Sequence, residues 1–320
     1  MNIAILGAGG IGCFYGAKLQ AAGNPVTYIG RGEHLSALKS NGLTVQHSHF
    51  SFHKRVHAVD LSQWIKHTSC DDYDLIIFAF KSTETEKILS DIAEWLTKGK
   101  CPVLSLQNGV DNEKLIADVI GEDRTLGGLA VRIGAHISRP GHINATGQAQ
   151  VIFGQWPECT DESLSSIPLK ILNLLTSAKI DATLSGNIEL ELWRKLMINN
   201  GVNPLSALTG LNTKQLTSNP QYSGTVYKLM EETARAASYH NINFSKREID
   251  EMFELISKFD AIKTSMLIDY ETGGSLELDA ICGAVIKRCK FLEKPAISTE
   301  SINSALKLKC QTSNFEITNQ

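Results

Sequence analysis

Residues 2 to 22 constrain the fold more than any other stretch. Asn2 to Leu6 reads as a buried strand, Gly7-Ala8-Gly9-Gly10-Ile11-Gly12 follows at once, and Cys13 to Ala22 reads as a helix. A GxGxxG run between a strand and a helix is the turn of a dinucleotide-binding βαβ unit. Gly7 permits the tight turn, Gly9 lets a pyrophosphate approach the backbone, and Gly12 lets the helix pack closely. The helix N-terminus adds N–H groups and the positive end of a dipole. The competing reading is a glycine-rich turn with no ligand. The expected class is α/β, opening with a doubly wound Rossmann domain.

Pro25 to Ile29 is the second strand, and its tip is Gly30-Arg31-Gly32. Dinucleotide binders that take NAD usually place an acid there for the ribose hydroxyls. Arg31 instead suits the 2′-phosphate of NADP, with charge-assisted bonds of about 1.5 to 3 kcal/mol. Glu33 is the competitor that favours NAD. Asp74 to Phe80 is a strongly apolar strand ending in Lys81, and Val103 to Leu106 is another, ending in Gln107-Asn108-Gly109. Ligands collect beyond the carboxyl ends of parallel strands, which makes Lys81 and Asn108 candidate site residues. A solvated lysine and an ordinary Asn-Gly turn are the plain alternatives.

Residues 43 to 59 alternate weakly and read as two strands carrying His47, His49, His53 and His57. The spacings do not match a compact zinc site, so a solvated hairpin is expected and no metal. Arg124 to Ile137 and His142 to Gly154 are extended segments joined by a turn at Ser138 to Gly141, and they extend the first sheet. Leu164 to Leu175 reads as a helix and Ile180 to Leu184 as a last short strand. Ser185-Gly186-Asn187 is the expected hinge, with Asn187 capping the helix after it.

From there the pattern is helical. Lys195, Asn199 and Asn203 recur every four residues, on one face of a helix whose neighbouring stripe carries Leu192 and Leu196. Asparagine is a poor helix former, so two in register with a lysine suggest a polar face held for function rather than a solvated one. Apolar spacing continues through Val226 to Ala237. Ser245-Lys-Arg-Glu248 is a capping box leading into Ile249, Met252, Phe253, Ile256 and Phe259. Ala280 to Cys289 and Ser301 to Leu308 read as two more helices. Between these groups lie Ser265 to Asp269, a loop with Gly273-Gly274, and Glu277, which also suits a first-turn acid. The domains expected are 1–185, the NADP-binding Rossmann domain, and 186–320, an all-helical substrate and catalytic domain.

The 320 residues suit about two domains. A net charge of −3, from 31 basic and 34 acidic residues, points to neither nucleic acid nor an acidic membrane surface. The seven cysteines are scattered and include no CxxC pair, as in a reducing cytoplasm. The apolar run Leu75 to Phe80 is too short for a bilayer. The apolar start has no basic residue ahead of it and does not read as a signal peptide.

Taken together, these residues resemble the ketopantoate reductase (2-dehydropantoate 2-reductase) family over nearly the whole chain. The likeness rests on Gly7 to Gly12, Arg31, Lys81 and Gln107-Asn108-Gly109. Above all it rests on Leu192-Trp-Arg-Lys195 with Asn199 and Asn203-Pro204, and on Ser265-Met-Leu followed by Glu277-Leu-Asp279. The resemblance implies NADPH across the N-terminal domain and a 2-oxo acid in the interdomain cleft, reduced to pantoate for pantothenate and coenzyme A synthesis. It implies Lys195 as general acid and Glu277 as the carboxylate holding the substrate hydroxyl. Asn199 and Asn203 then lie near lysine and substrate, Ser265 donates to the substrate carboxylate, and Asn108 and Lys81 flank nicotinamide and cofactor. A homodimer is compatible with this. The chain departs from the family pattern at Cys282 and at Ile262, where some members carry asparagine.

Three alternatives stand beside this reading. One is a reductase of the same fold acting on another branched 2-oxo acid. Another is a non-catalytic NADPH-binding sensor, which needs Gly7, Gly9, Gly12 and Arg31 but neither Lys195 nor Glu277. The third is a β-hydroxyacid or opine-type dehydrogenase, whose motifs fit less well.

Overall fold

A computed structural model describes residues 1–158, 166–259 and 261–318. By contacts the chain forms two units, one of 1–107 with 111–191 and one of 108–110 with 192–320.

The first unit is built on one ten-stranded sheet. In chain order its elements are β1 (Ile3–Leu6), α1 (Gly10–Ala21), β2 (Val26–Ile29), α2 (Gly32–Asn41), β3 (Leu43–His47), β4 (Phe50–Lys54), β5 (His57–Val59), α3 (Leu61–His67), β6 (Leu75–Phe78), α4 (Thr85–Thr97), β7 (Val103–Ser105), α5 (Asn112–Ile120), β8 (Thr125–Arg139), β9 (His142–Gln155), α6 (Ser166–Ser177) and β10 (Asp181–Leu184). The path across the sheet is β4-β3-β9-β8-β7-β6-β1-β2-β5, with β10 beside β9. The run β5-β2-β1-β6-β7-β8 is parallel throughout. It reproduces the doubly wound strand order with the reversal at β1.

Alternation along each strand explains the two layers of helices. Ile3 and Ile5 join Phe14, Leu38 and Leu174 in the core of one face. Ala4 and Leu6, one residue out of phase, join Trp64, Ile92 and Ile116 on the other. A strand covered on both faces reads as a nearly continuous apolar run, and β1, β2 and β6 are buried along their full length, with Thr27 of β2 a buried polar exception.

The stretch 43–59 holds three strands where two are expected, and they lie at opposite edges of the sheet. β3 and β4 form the hairpin beside β9, whereas β5 pairs in parallel with β2. Two short edges with one exposed face give similar weak alternation, so their partners are not readable locally. The turn between β8 and β9 is as expected: Arg139 faces His142 across Pro140 and Gly141, and Gly141 takes φ +79°. α6 begins within the expected helix, of which Leu164 and Ser165 lie outside the described residues, as does Cys159.

α7 (Ile188–Thr209) is one helix with Pro204 inside it. Asn187 caps it, Oδ1 accepting from Leu190 N at 2.9 Å. The division by contacts falls between Glu191 and Leu192, a turn into this helix, rather than at Ser185–Asn187.

The second unit adds α8 (Thr213–Ser218), α9 (Pro220–Ala237), α10 (Lys246–Ser257), α11 (Ser265–Glu271), α12 (Ala284–Phe291) and α13 (Ile297–Thr318). Met197, Val202, Leu216, Val226, Met230, Ile249 and Ile256 share one core. The capping box at Ser245 and Glu248 forms as expected. Two features differ from expectation. Residues 265–271 are a short helix capped by Thr264. The segment expected to begin a helix at Ala280 begins as a π turn, Asp279–Gly283, before α12.

Candidate functional site

In the first unit the candidate groups are mostly main chain. Gly7 takes φ +105°, and a Cβ there would stand 2.4 Å from Phe80 N. At Gly10 it would stand 2.1 Å from Ala135 O, and at Gly12 2.2 Å from Gly7 O. These three glycines are required by packing. Gly9 is different: a Cβ there would meet nothing within 4 Å. Gly9 is also the N-cap of α1, with no side chain to satisfy the first-turn N–H groups. The turn therefore presents amides and a helix dipole to open space, which fits a pyrophosphate. Ala8 is buried and Ile11 half-buried.

Arg31 is the N-cap of α2, directly after β2, and its side chain is exposed. Lys81 opens the helical turn Ser82–Glu84 after β6. β2 and β6 flank β1 in register, Leu6 facing both Ile29 and Phe78. The glycine turn, Arg31 and Lys81 thus leave the carboxyl ends of three adjacent strands.

The second unit carries the side-chain chemistry. Lys195, Asn199 and Asn203 all fall on α7, spaced by about 6 Å along its axis. Lys195 and Asn199 are half-buried and Asn203 is buried. Glu277 precedes the π turn and is 8 % exposed. Its Oε2 accepts a hydrogen bond from Asn108 Nδ2 at 2.8 Å. Asn108 to Val110 group with this unit, and Gly109 takes φ +103° in the turn. The structure thus joins two candidate residues 169 positions apart. Ser265 is exposed as the first residue of α11.

Asn200 has a different task from Asn199. It is fully buried, and its Nδ2 faces Thr233 Oγ1 at 3.0 Å, Thr299 Oγ1 at 3.2 Å and Leu229 O at 3.3 Å. Glu232 continues the network by accepting from Thr299 Oγ1 and from the N–H groups of Ser298 and Thr299, which caps α13. Asn200 is therefore a packing residue tying α7 to α9 and α13. Lys309 donates to the carbonyls of Ala207 and Leu208 and so satisfies the C-terminal turn of α7.

At the two departures, burial pushes the Cys282 thiol up to about 12, and Ile262 is exposed with its carbonyl accepting from Thr213 N. His47 accepts from the N–H of His49 at 3.2 Å, and the other histidines of this stretch have separate surroundings. His47 Nε2 bonds Gly147 O, His53 bonds Thr44, and His57 sits on β5 at the far edge. Among the described residues no group of three or more His, Cys, Asp or Glu is placed to hold a metal, and no helix is long and apolar enough to cross a membrane.

Two family models match the chain. Ketopantoate reductase PanE/ApbA covers residues 3–158, and Ketopantoate reductase PanE/ApbA C terminal covers residues 187–309. A 2-dehydropantoate 2-reductase of Pyrococcus abyssi is 31 % identical over 299 residues, covering 92 % of this chain and 93 % of that one. An uncharacterised oxidoreductase of Bacillus subtilis is 22 % identical, covering 96 % and 98 %. Among solved structures, a D-mandelate dehydrogenase with NADH and anilino(oxo)acetate superposes with a TM-score of 0.89 at 24 % identity, covering 98 % and 99 %. A 2-dehydropantoate 2-reductase of Geobacter metallireducens superposes with a TM-score of 0.86 at 24 % identity, covering 97 % and 100 %.

Proposed function

The chain belongs to the ketopantoate reductase family, a family of nicotinamide-dependent reductases, and from that premise we propose that it reduces 2-dehydropantoate to pantoate with NADPH in pantothenate synthesis. The observation that carries this reading is the Asn108–Glu277 hydrogen bond. A carboxylate this deeply buried is costly to keep unless its partners are fixed, and Asn108 supplies one.

When bound, the nicotinamide supplies the hydride. The chain's own residues do the rest. The main chain of Gly7 to Gly12, including Ala8, Gly10 and Ile11, holds the pyrophosphate at the α1 N-terminus. Arg31 meets the 2′-phosphate and Lys81 lies beside the cofactor. A ketone that gains hydride becomes an alkoxide unless a proton arrives with it, and the Lys195 ammonium gives that proton to the oxygen. Glu277, oriented by Asn108, accepts the hydrogen bond of the substrate's hydroxyl. The Asn199 and Asn203 amides bind on the same face as Lys195, and Ser265 donates to the substrate carboxylate.

The test is an initial-rate assay of 2-dehydropantoate with NADPH and NADH side by side, followed by loss of reduced-nicotinamide absorbance. Turnover of 2-dehydropantoate well above that of other 2-oxo acids supports the reading. A panel in which another branched 2-oxo acid is strongly preferred replaces the substrate and keeps the chemistry. Cys282 and Ile262 are the observations that favour that second reading, since neither brings an amide side chain. The chain's cytoplasmic setting is proposed with it.

A further inference from the structure

The carboxylate that competes for Arg31 is not its neighbour Glu33. Arg31 Nη1 stands 3.4 Å from Oε2 of Glu84, with the two side chains 83 % and 32 % exposed. Glu84 is held by its own turn, its N–H donating to Lys81 O at 3.0 Å, and it is the N-cap of α4 as Arg31 is of α2. Because β2 and β6 both flank β1, the two caps emerge on either side of the Gly7–Gly12 turn. One positive and one negative group therefore share the place where the two nicotinamide coenzymes differ.

We propose that Glu84 sets the coenzyme preference of this chain, discounting the 2′-phosphate so that NADH is taken on nearly equal terms with NADPH. The inference rests on the nicotinamide reading above. Arg31 offers one positive charge to a 2′-phosphate dianion, and Glu84 returns one negative charge to the same spot. A carboxylate also accepts well from the ribose 2′-hydroxyl that NADH carries there. The ion pair is exposed, so it is weak and a phosphate displaces it. The effect is accordingly several-fold and not absolute.

The experiment needs no turnover. Binding of NADPH and NADH is followed by nucleotide fluorescence, and 2′,5′-ADP is compared with 5′-AMP by calorimetry, since these two differ only in the 2′-phosphate. Wild type is expected to hold NADPH and NADH within about tenfold of each other. Glu84→Gln is expected to tighten NADPH and 2′,5′-ADP by about fivefold while leaving NADH and 5′-AMP unchanged or weaker. In an Arg31→Ala background NADPH weakens, and removing the Glu84 charge still favours the 2′-phosphate, by a smaller factor. A Glu84→Gln protein that shifts both nucleotides alike, or a wild type preferring NADPH a hundredfold, overturns the inference alone. A wild type that binds neither nucleotide overturns the nicotinamide reading, and this inference with it.

Discussion

The glycine turn of the first unit and the polar face of α7 in the second, the two regions proposed to hold ligand, are built in opposite ways. The turn uses main-chain groups supplied by six consecutive residues, with side chains excluded by contact distance at Gly7, Gly10 and Gly12. The second unit uses side chains, those of the α7 face and, separately, the carboxylate of Glu277, which Asn108 fixes from 169 positions away. A backbone site is intolerant of added atoms but indifferent to charge. A side-chain site has the reverse sensitivities, and each substitution below tests one half of that contrast.

The largest effect is expected on the side-chain half. Lys195→Ala removes the proposed proton donor and is expected to lower turnover by about a hundred- to ten-thousandfold. NADPH affinity in the same protein is expected to stay at the wild-type value, because the groups proposed to hold the pyrophosphate and the 2′-phosphate lie in the other unit. Single-turnover rates and equilibrium binding measured on one preparation separate the two. Near wild-type turnover would remove Lys195 from the chemistry.

The backbone half predicts a split between glycines that look alike in the motif. Gly12→Ala forces a Cβ against Gly7 O and is expected to cost about 1 to 3 kcal/mol of stability. Gly9→Ala meets no protein atom, so the melting temperature is expected to hold. The methyl then occupies the space in front of the α1 amides, and nucleotide binding weakens by about tenfold or more. If Gly9→Ala binds nucleotide normally, the turn is a fold element and not a cradle.

These contrasts also explain what the sequence discloses. Gly7 to Gly12 is legible because strand, turn and helix are contiguous, although the backbone that excludes a side chain at Gly7 and Gly10 comes from Phe80 and Ala135, far along the chain. The α7 face is legible because helical periodicity puts residues four apart in line. The Asn108–Glu277 bond and the Arg31–Glu84 pair are long-range meetings that no local spacing encodes. Glu33 lies only two residues from Arg31 in sequence, yet strand order rather than closeness along the chain decides which acid reaches the guanidinium. α11 is too short to show a period, and the separation of β5 from the β3–β4 hairpin depends on sheet partners absent from the window.

Asn199 and Asn200 sharpen the comparison within one helix, because adjacent identical residues face different surroundings. Asn200→Ala removes the buried amide that donates to the Thr233 and Thr299 hydroxyls and is expected to cost about 1 to 3 kcal/mol, with kcat/KM per folded molecule unchanged. Asn199→Ala is expected to leave stability within about 0.5 kcal/mol and to lower kcat/KM. Denaturant titration and steady-state kinetics read the two axes. A swapped outcome would move the functional face of α7 by one residue, about 100° around the helix, and would take Lys195 off it.

The smallest effect concerns the start of α7. Asn187 Oδ1 caps the helix by accepting from Leu190 N, so Asn187→Ala is expected to cost about 1 kcal/mol, or roughly 2 to 4 °C in melting temperature. Asn187→Ser keeps a capping oxygen and is expected to recover most of it. The kinetic constants should follow neither variant, because the cap lies two turns before Lys195 and the intervening residues Leu192 and Trp193 are buried. A loss of kcat in Asn187→Ala that Asn187→Ser restores would mean that the register of the lysine depends on the cap. The polar face of α7 would then be as sensitive to local backbone geometry as the glycine turn, and the contrast between the two halves would narrow to the chemistry of the groups they present.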